Sequence, residues 1–183
     1  MRPASDPLPL SEGLAREGAR SVPVFFAVSP AKLVMMWLCT FGWYQAWWTY
    51  MNWRAVRLQE RSEIAPAART VLSPLFAYAL FRRMREAFAR AGLRRGMPAA
   101  PLAAIWCLLT LVSWPIPLAG LGCLVVLVRL QSRVQALHAL LDAPPPANSR
   151  LSVWNWIVVV VGALCWAMLL LALTAGSGRP RSY

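Results

Sequence analysis

Apolar residues fall along this chain in long charge-free runs, separated by segments rich in arginine. The first run, Leu33 to Trp53, is 21 residues long. A helix of about 20 apolar residues crosses the ~30 Å hydrocarbon layer of a bilayer, so the pattern predicts a membrane-spanning helix over 33–53. On such a helix Trp37, Phe41, Tyr44 and Trp48 fall at 4-3-4 spacing and form one aromatic stripe, with Trp43, Trp47 and Tyr50 as a second. Aromatic side chains favour the membrane–water boundary, and here they weight the C-terminal half. That suggests a tilted span, with a helix lying flat in the interface as the alternative.

Residues 54–69 alternate arginines with Glu60 and Glu63 and read as a solvated connector. Beyond Pro74, the residues Ala77, Phe81, Met84 and Phe88 share one helical face, and Arg82, Arg83, Arg85, Glu86 and Arg90 cover the rest. This predicts a basic amphipathic helix over 75–91 on the membrane surface, ended by Gly92. Gly96 to Val128 is 33 residues without a charge. As one helix it would reach about 50 Å, too long for a single straight crossing. Pro115 and Pro117 cannot both sit inside a regular helix. The run therefore predicts a hairpin, 99–113 and 119–130, with a single kinked span as the alternative. Leu130, Val134, Leu137 and Leu141 continue at 4-3-4 spacing with Arg129, Gln131, Arg133, Gln135 and His138 off the stripe, which predicts a second interfacial helix over 130–141. Pro144, Pro145 and Pro146 stop it. The last apolar run contains a span over 154–173, where Ala163 and Ala167 offer a small-residue pair for close helix approach.

Composition agrees with this pattern. Of 183 residues, 58% are apolar and 14% charged, against roughly half and a quarter in soluble domains. The mean hydropathy is +0.49. The expected fold class is all-α: an integral membrane protein with three or four transmembrane helices and two interfacial amphipathic helices. It occupies 25–178, between a disordered tail over 1–24, with no secretory signal, and a short tail over 179–183.

The formal net charge is +12, and 18 of the 19 basic residues are arginine. The arginines border apolar runs, which favours topology signals and anionic headgroups over nucleic acid. Ten arginines lie in 54–95, so that segment is expected in the cytoplasm. A spanning first helix then leaves the N-terminal tail outside, whereas a flat one brings it inside. The arginine and alanine content suggests a bacterial source, and hence the inner membrane, multi-pass.

Candidate chemistry is sparse. Cys39, Cys107, Cys123 and Cys165 all lie in apolar runs without C-x-x-C spacing and read as packed thiols. His138, the one histidine, reads as a solvated side chain, with Asp142 four residues on steadying the helix end. No acid falls inside a predicted span, which argues against proton coupling. There is no P-loop, zinc-protease motif, nucleophile elbow or dinucleotide-binding glycine pattern. No catalytic residue, metal site or cofactor is therefore expected. Thr40, Gln45, Asn52, Thr110, Ser113, Asn155 and Thr174 read as interhelix or headgroup hydrogen-bonding groups.

Three stretches resemble uncharacterised families of small bacterial multi-pass inner-membrane proteins. They are Ser29-Pro30-Ala31-Lys32-Leu33, Thr40-Phe41-Gly42-Trp43-Tyr44 and the tryptophan-rich Trp47 to Trp53. Leu80–Ala87 and Trp154-Asn155 look similar too. The resemblance implies a multi-pass membrane fold and brings no activity.

The functional expectation is a non-enzymatic scaffold or accessory subunit of a larger membrane assembly. Arg82, Arg83, Arg85, Arg90, Arg94 and Arg95 would bind anionic membrane lipids or an acidic partner protein. The aromatic surface of Trp37, Phe41, Tyr44 and Trp48 would anchor in the interface, or receive a lipid tail, a pigment or a partner's helices. A transporter or channel component and a lipid-acting enzyme using His138 are the alternatives.

Overall fold

In the computed structural model the described residues are 25–93, 97–141, 144, 145 and 148–177. The predicted tails over 1–24 and 179–183 lie outside them, as do Arg94, Arg95 and Asp142. Of the described residues 77% are helical, and none forms a strand. The all-α class therefore holds. Two helices, Gly120–Ala139 and Val153–Ser177, are long and apolar enough to cross a membrane.

The chain enters along an extended stretch, Phe25 to Ser29, and then turns into α1, Pro30–Cys39. The Ser29 hydroxyl accepts from the Lys32 amide at 3.2 Å, and Pro30 occupies the first turn, where no amide hydrogen is needed. The predicted helix over 33–53 is broken here. Phe41 (φ 51°) and Gly42 (φ 91°) both take left-handed backbone, and the Gly42 amide closes onto the Trp37 carbonyl at 2.8 Å. The Thr40 hydroxyl donates to the Met36 carbonyl at 2.8 Å and accepts from the Tyr44 amide at 2.9 Å, joining one helix to the next. A side chain at Gly42 would meet the Trp37 ring at 3.3 Å. α2 then runs Tyr44–Glu60.

After the short α3, Pro66–Val71, comes α4, Ser73–Arg90. The predicted face of Ala77, Phe81, Met84 and Phe88 is buried, together with Leu80 and Ala87. It packs on protein rather than lying open to a membrane: Phe81 meets Trp106 edge-on at 6.0 Å, and the Cys107 thiol donates to the Pro74 carbonyl at 2.9 Å. The prediction of a surface-lying helix is corrected in that respect.

α5, Ala99–Val112, and α6, Gly120–Ala139, form the predicted hairpin, with the turn at Trp114 to Ala119 closed by a short 3₁₀ segment, Pro117–Ala119. Gly122 lets α5 approach closely, since an added side chain would strike Leu109. The separate interfacial helix over 130–141 does not exist. No breaker follows Val128, so α6 carries straight on to Ala139. Its stripe of Leu130, Val134 and Leu137 is buried, but so are Gln131 and His138, which the spacing had placed outside.

The extended entry packs against them, with Phe25 and Val28 buried. Gln131 Nε2 donates to the Val28 carbonyl at 2.9 Å and to the Phe26 carbonyl at 3.1 Å. Gln131 Oε1 accepts from the Trp48 indole at 2.8 Å. Asn52 Oδ1 accepts from the Phe26 amide at 3.2 Å, while Asn52 Nδ2 donates to the Trp48 carbonyl at 2.8 Å. The Asn148 amide donates to the Ala27 carbonyl at 3.0 Å. These bonds set the directions of the helices. Val28 lies beside Gln131 and Trp37 beside Gly120, so α1 runs antiparallel to α6. α2 turns back past the extended entry.

The last helix, α7, Val153–Ser177, contains the predicted span over 154–173. It runs parallel to α1. At its start, the buried Lys32 ammonium donates to Asn148 Oδ1 at 2.7 Å, the Arg150 carbonyl at 2.8 Å and Asn155 Oδ1 at 2.9 Å with that amide turned to suit its neighbours. Further along, Gly162 lies against the Cys39 backbone and the Trp166 indole donates to the Leu38 carbonyl at 3.1 Å.

Replacing Gln131 with leucine should leave the Trp48 indole and the part-buried Phe26 carbonyl without the bonds seen here, and the Val28 carbonyl with only the long 3.5 Å bond from Gln135. Each such group costs about 1–3 kcal/mol. With partial relaxation, a loss of roughly 2–4 kcal/mol is expected in a denaturant titration of the detergent-solubilised protein. A change below about 0.5 kcal/mol, the ordinary scale of a surface substitution, would contradict this role.

Candidate functional site

Three stretches of the chain carry no charge, 33–53, 97–128 and 151–177. The fold brings a point of each to one end of the molecule, and Trp37 is where they meet. Its ring packs within 3.3 Å of where side chains at Gly42 and Gly120 would stand. Ser113 packs beside Gly120, so the α1–α2 break and the α5–α6 turn lie side by side. Cys39, two residues on, lies against Gly162, halfway along α7.

Around this junction large apolar side chains are exposed. Trp43 at the break is 76% exposed, and Trp114 and Leu118 at the turn are 82% and 76% exposed. Phe41, Trp47, Ile116, Leu121 and Val125 are also exposed. A soluble surface rarely shows so many together. α7 adds more: of its residues from Val153 to Ala175 only Gly162 is buried. Beyond Gly162 the helix continues for about 22 Å. The Trp166 ring stacks on Phe41 at 4.9 Å, and its indole donates to the Leu38 carbonyl.

The predicted aromatic stripe is divided by this arrangement. Trp37, Tyr44 and Trp48 are buried in the core, and only Phe41 faces outward. The break at Gly42 rotates the second helix relative to the first, so the 4-3-4 spacing across it has no structural meaning. Around the junction Trp43, Trp47 and Trp114 are exposed with Phe41. For Trp43 and Trp114, an apolar residue beside a glycine or proline at a point where the chain reverses was the signal available in the sequence; Trp47 had none.

The described charges lie elsewhere. On α4, Arg82, Arg85 and Arg90 are exposed, and Arg82 pairs with Glu86 at 3.5 Å. Arg83 is different. It is half-buried and grips Glu60 of α2 through two hydrogen bonds, 2.7 and 3.2 Å. That hydrogen bond, then the charges of Arg83 and Arg69, hold the Glu60 carboxyl below its ordinary range. The pair thus persists above the usual glutamate pKa and is lost as acid protonates Glu60 below it. Arg83 ties α2 to α4 and offers less to a ligand than its neighbours on the predicted basic face do.

His138 is buried, and its Nε2 has no hydrogen-bond partner. It borders a half-open cleft of about 490 Å³ with Ala27, Val28, Gln135, Ala139, Pro144 and Pro145. Among the described residues the lining holds neither a carboxylate nor a nucleophile. Among the described residues, no three His, Cys, Asp or Glu side chains gather as a metal site requires, and the described cysteines are free.

Gly162→Leu would drive a side chain into the Cys39 carbonyl, which is backbone and cannot yield. The expected outcome is separation of α7 from α1 with α1–α6 intact. A disulfide-forming or photochemical crosslink between positions 38 and 166 should fall at least fivefold while far-ultraviolet circular dichroism is unchanged. An unaltered crosslink yield would show that the contact does not hold α7.

No family model matches the chain, nor does any curated protein or any solved structure. The resemblance rests on Ser29–Leu33, Thr40–Tyr44, Trp47 to Trp53, Leu80–Ala87 and Trp154-Asn155 alone.

Proposed function

We propose that the chain is a non-enzymatic bacterial inner-membrane protein in which α7 alone crosses the bilayer. The α1–α2 break and the α5–α6 turn dip into one leaflet from the side where α7 starts. Helix length and charge placement support this reading: α6 is about 30 Å long but carries Arg129 and Arg133 in its second half and is charge-free only over 120–128. α1 and α5 reach about 15 and 21 Å, against ~30 Å of hydrocarbon. α7, at 25 residues, reaches about 37 Å. The observation that carries the proposal is the convergence of three charge-free stretches on one exposed apolar end.

A single crossing also sharpens the charge argument. Seventeen of the 19 basic residues precede α7, and only Arg179 and Arg181 follow it. The positive-inside rule then puts the whole arginine-bearing body on the cytoplasmic side and the C-terminus outside. In that setting the exposed Arg82, Arg85 and Arg90 form a basic face for acidic partner proteins or anionic lipid. The role is that of a scaffold or accessory subunit, which holds a partner at the cytoplasmic surface of the membrane.

Two measurements test this. Single cysteines at Ala65, Ser149 and Ser182, in a background without the native four, are treated with a membrane-impermeant maleimide on intact spheroplasts. Ser182 alone should label, with the other two reacting only after lysis. Labelling of Ala65 or Ser149 from outside would overturn the single crossing. In phosphatidylcholine nanodiscs, the triple variant Arg82→Gln, Arg85→Gln, Arg90→Gln should bind a poly-glutamate probe about tenfold more weakly at 0.1 M salt. That follows from about 1 kcal/mol per arginine, reduced by screening. Equal binding would remove the basic face.

A further inference from the structure

Arg69 belongs to neither of the surfaces above. Its guanidinium lies 4.5 Å from the centroid of the Trp53 ring and 5.2 Å from that of Phe76. The two rings stand edge to face at 6.5 Å. Trp53 is fully buried, so the guanidinium is seated on a rigid aromatic corner. Arg83 approaches the same Trp53 ring, at 5.6 Å. The one carboxylate bonded in this cluster, Glu60, is taken by Arg83. Among the described residues Arg69 has no carboxylate within salt-bridge distance. Two guanidiniums thus share a single acid, which Arg83 holds by hydrogen bonds and Arg69 reaches only through its charge, leaving one positive charge in excess.

What lies next to Arg69 is apolar and open. Val71 is 81% exposed, Leu75 76% and Leu72 48%. The Cys107 thiol ties the Pro74 carbonyl to the middle of α5, so this edge sits beside an inserting arm of the hairpin. A fixed cation beside an exposed leucine edge, in the membrane placement proposed above, is complementary to one kind of molecule. A guanidinium bonds a phosphate in bidentate fashion, and leucines accept an acyl chain. The excess positive charge favours a lipid whose headgroup is itself anionic.

We infer that Arg69, held on Trp53 and Phe76, binds the phosphate of one anionic phospholipid whose acyl chain lies along Leu72 and Leu75. The inference rests on the membrane placement proposed above and adds a specific lipid site to it. This site differs from the basic face of Arg82, Arg85 and Arg90, where attraction is diffuse. Diffuse contacts exchange freely with bulk lipid, whereas a seated lipid is carried along when the protein is released.

The test is native mass spectrometry of the full chain released from nanodiscs of equal phosphatidylglycerol and phosphatidylcholine. The wild type should retain one phosphatidylglycerol in at least threefold preference over phosphatidylcholine. Arg69→Gln should bring that ratio to about one, and Arg69→Lys should restore part of it. The double variant Leu72→Ser, Leu75→Ser alters only exposed positions, so it leaves the fold intact. It should reduce retention of either lipid. Arg57→Gln with Arg129→Gln, exposed arginines that belong to neither surface, should leave the preference unchanged. Preserved selectivity in Arg69→Gln, or equal loss in the Arg57/Arg129 variant, would overturn the site. Extraction of the wild type from membranes by alkaline carbonate would instead overturn the membrane placement beneath it.

Discussion

An extended stretch of backbone buried inside a helical protein is a problem that no helix can solve for it. Val28 is buried and Phe26 and Ala27 half-buried, so their backbone polar groups need partners, since a buried group left unpaired costs about 1–3 kcal/mol. Gln131 meets most of that need. A primary amide suits the position because it donates twice from one end and accepts at the other. Its nitrogen serves two carbonyls of the entry, and its oxygen takes the Trp48 indole. Asn52 supplies the acceptor for the Phe26 amide. One amide on α6 therefore joins the entry, α1 and α2 in a fixed register. Lys32 extends the arrangement to α7 through acceptors that are all neutral oxygens.

That register decides where the apolar ends fall. With Val28 at Gln131, α1 descends until Trp37 reaches Gly120, and the chain reverses there because Gly42 can take a left-handed turn against the indole. The α5–α6 turn is already at that level. Two reversals and the flank of α7 thus share one depth, while the charged ends of α2, α4 and α6 are left on the other side. The proposed insertion into a single leaflet follows from this segregation. A polar network holds the body together, and an apolar end gives it a solvent preference. The basic residues left exposed have no packing role, which frees them for partners or headgroups.

The features legible in the sequence were those that depend on local chemistry. Pro115 and Pro117 announce the hairpin turn, the spacing of Ala77, Phe81, Met84 and Phe88 marks the buried face of α4, and uninterrupted hydropathy marks α7. The break in 33–53 was not legible, because Thr40, Phe41, Gly42 and Trp43 are all residues a membrane helix accepts. The reversal depends on Trp37 packing against Gly120, more than eighty residues away. Gln131 and His138 looked solvated for a similar reason. A polar residue off a helical stripe reads as exposed unless a partner from elsewhere in the chain covers it, and here the covering element is an extended segment with no periodic signature. Apolar character alone likewise left open whether α4 lies on lipid or on protein. The observed contact with Trp106 answers that.

The central claim is that the hairpin turn and α7 end at different depths. Spin labels at Ile116 and Ala175, with accessibility to oxygen and to a polar nickel chelate measured in the same nanodiscs, test it most directly. The account predicts a label at Ile116 near the bilayer midplane, rich in oxygen and shielded from nickel. The label at Ala175 should sit at the far headgroup level and be open to nickel. A label at Ile116 fully open to nickel, whether at the far surface or in bulk water, would contradict insertion into one leaflet.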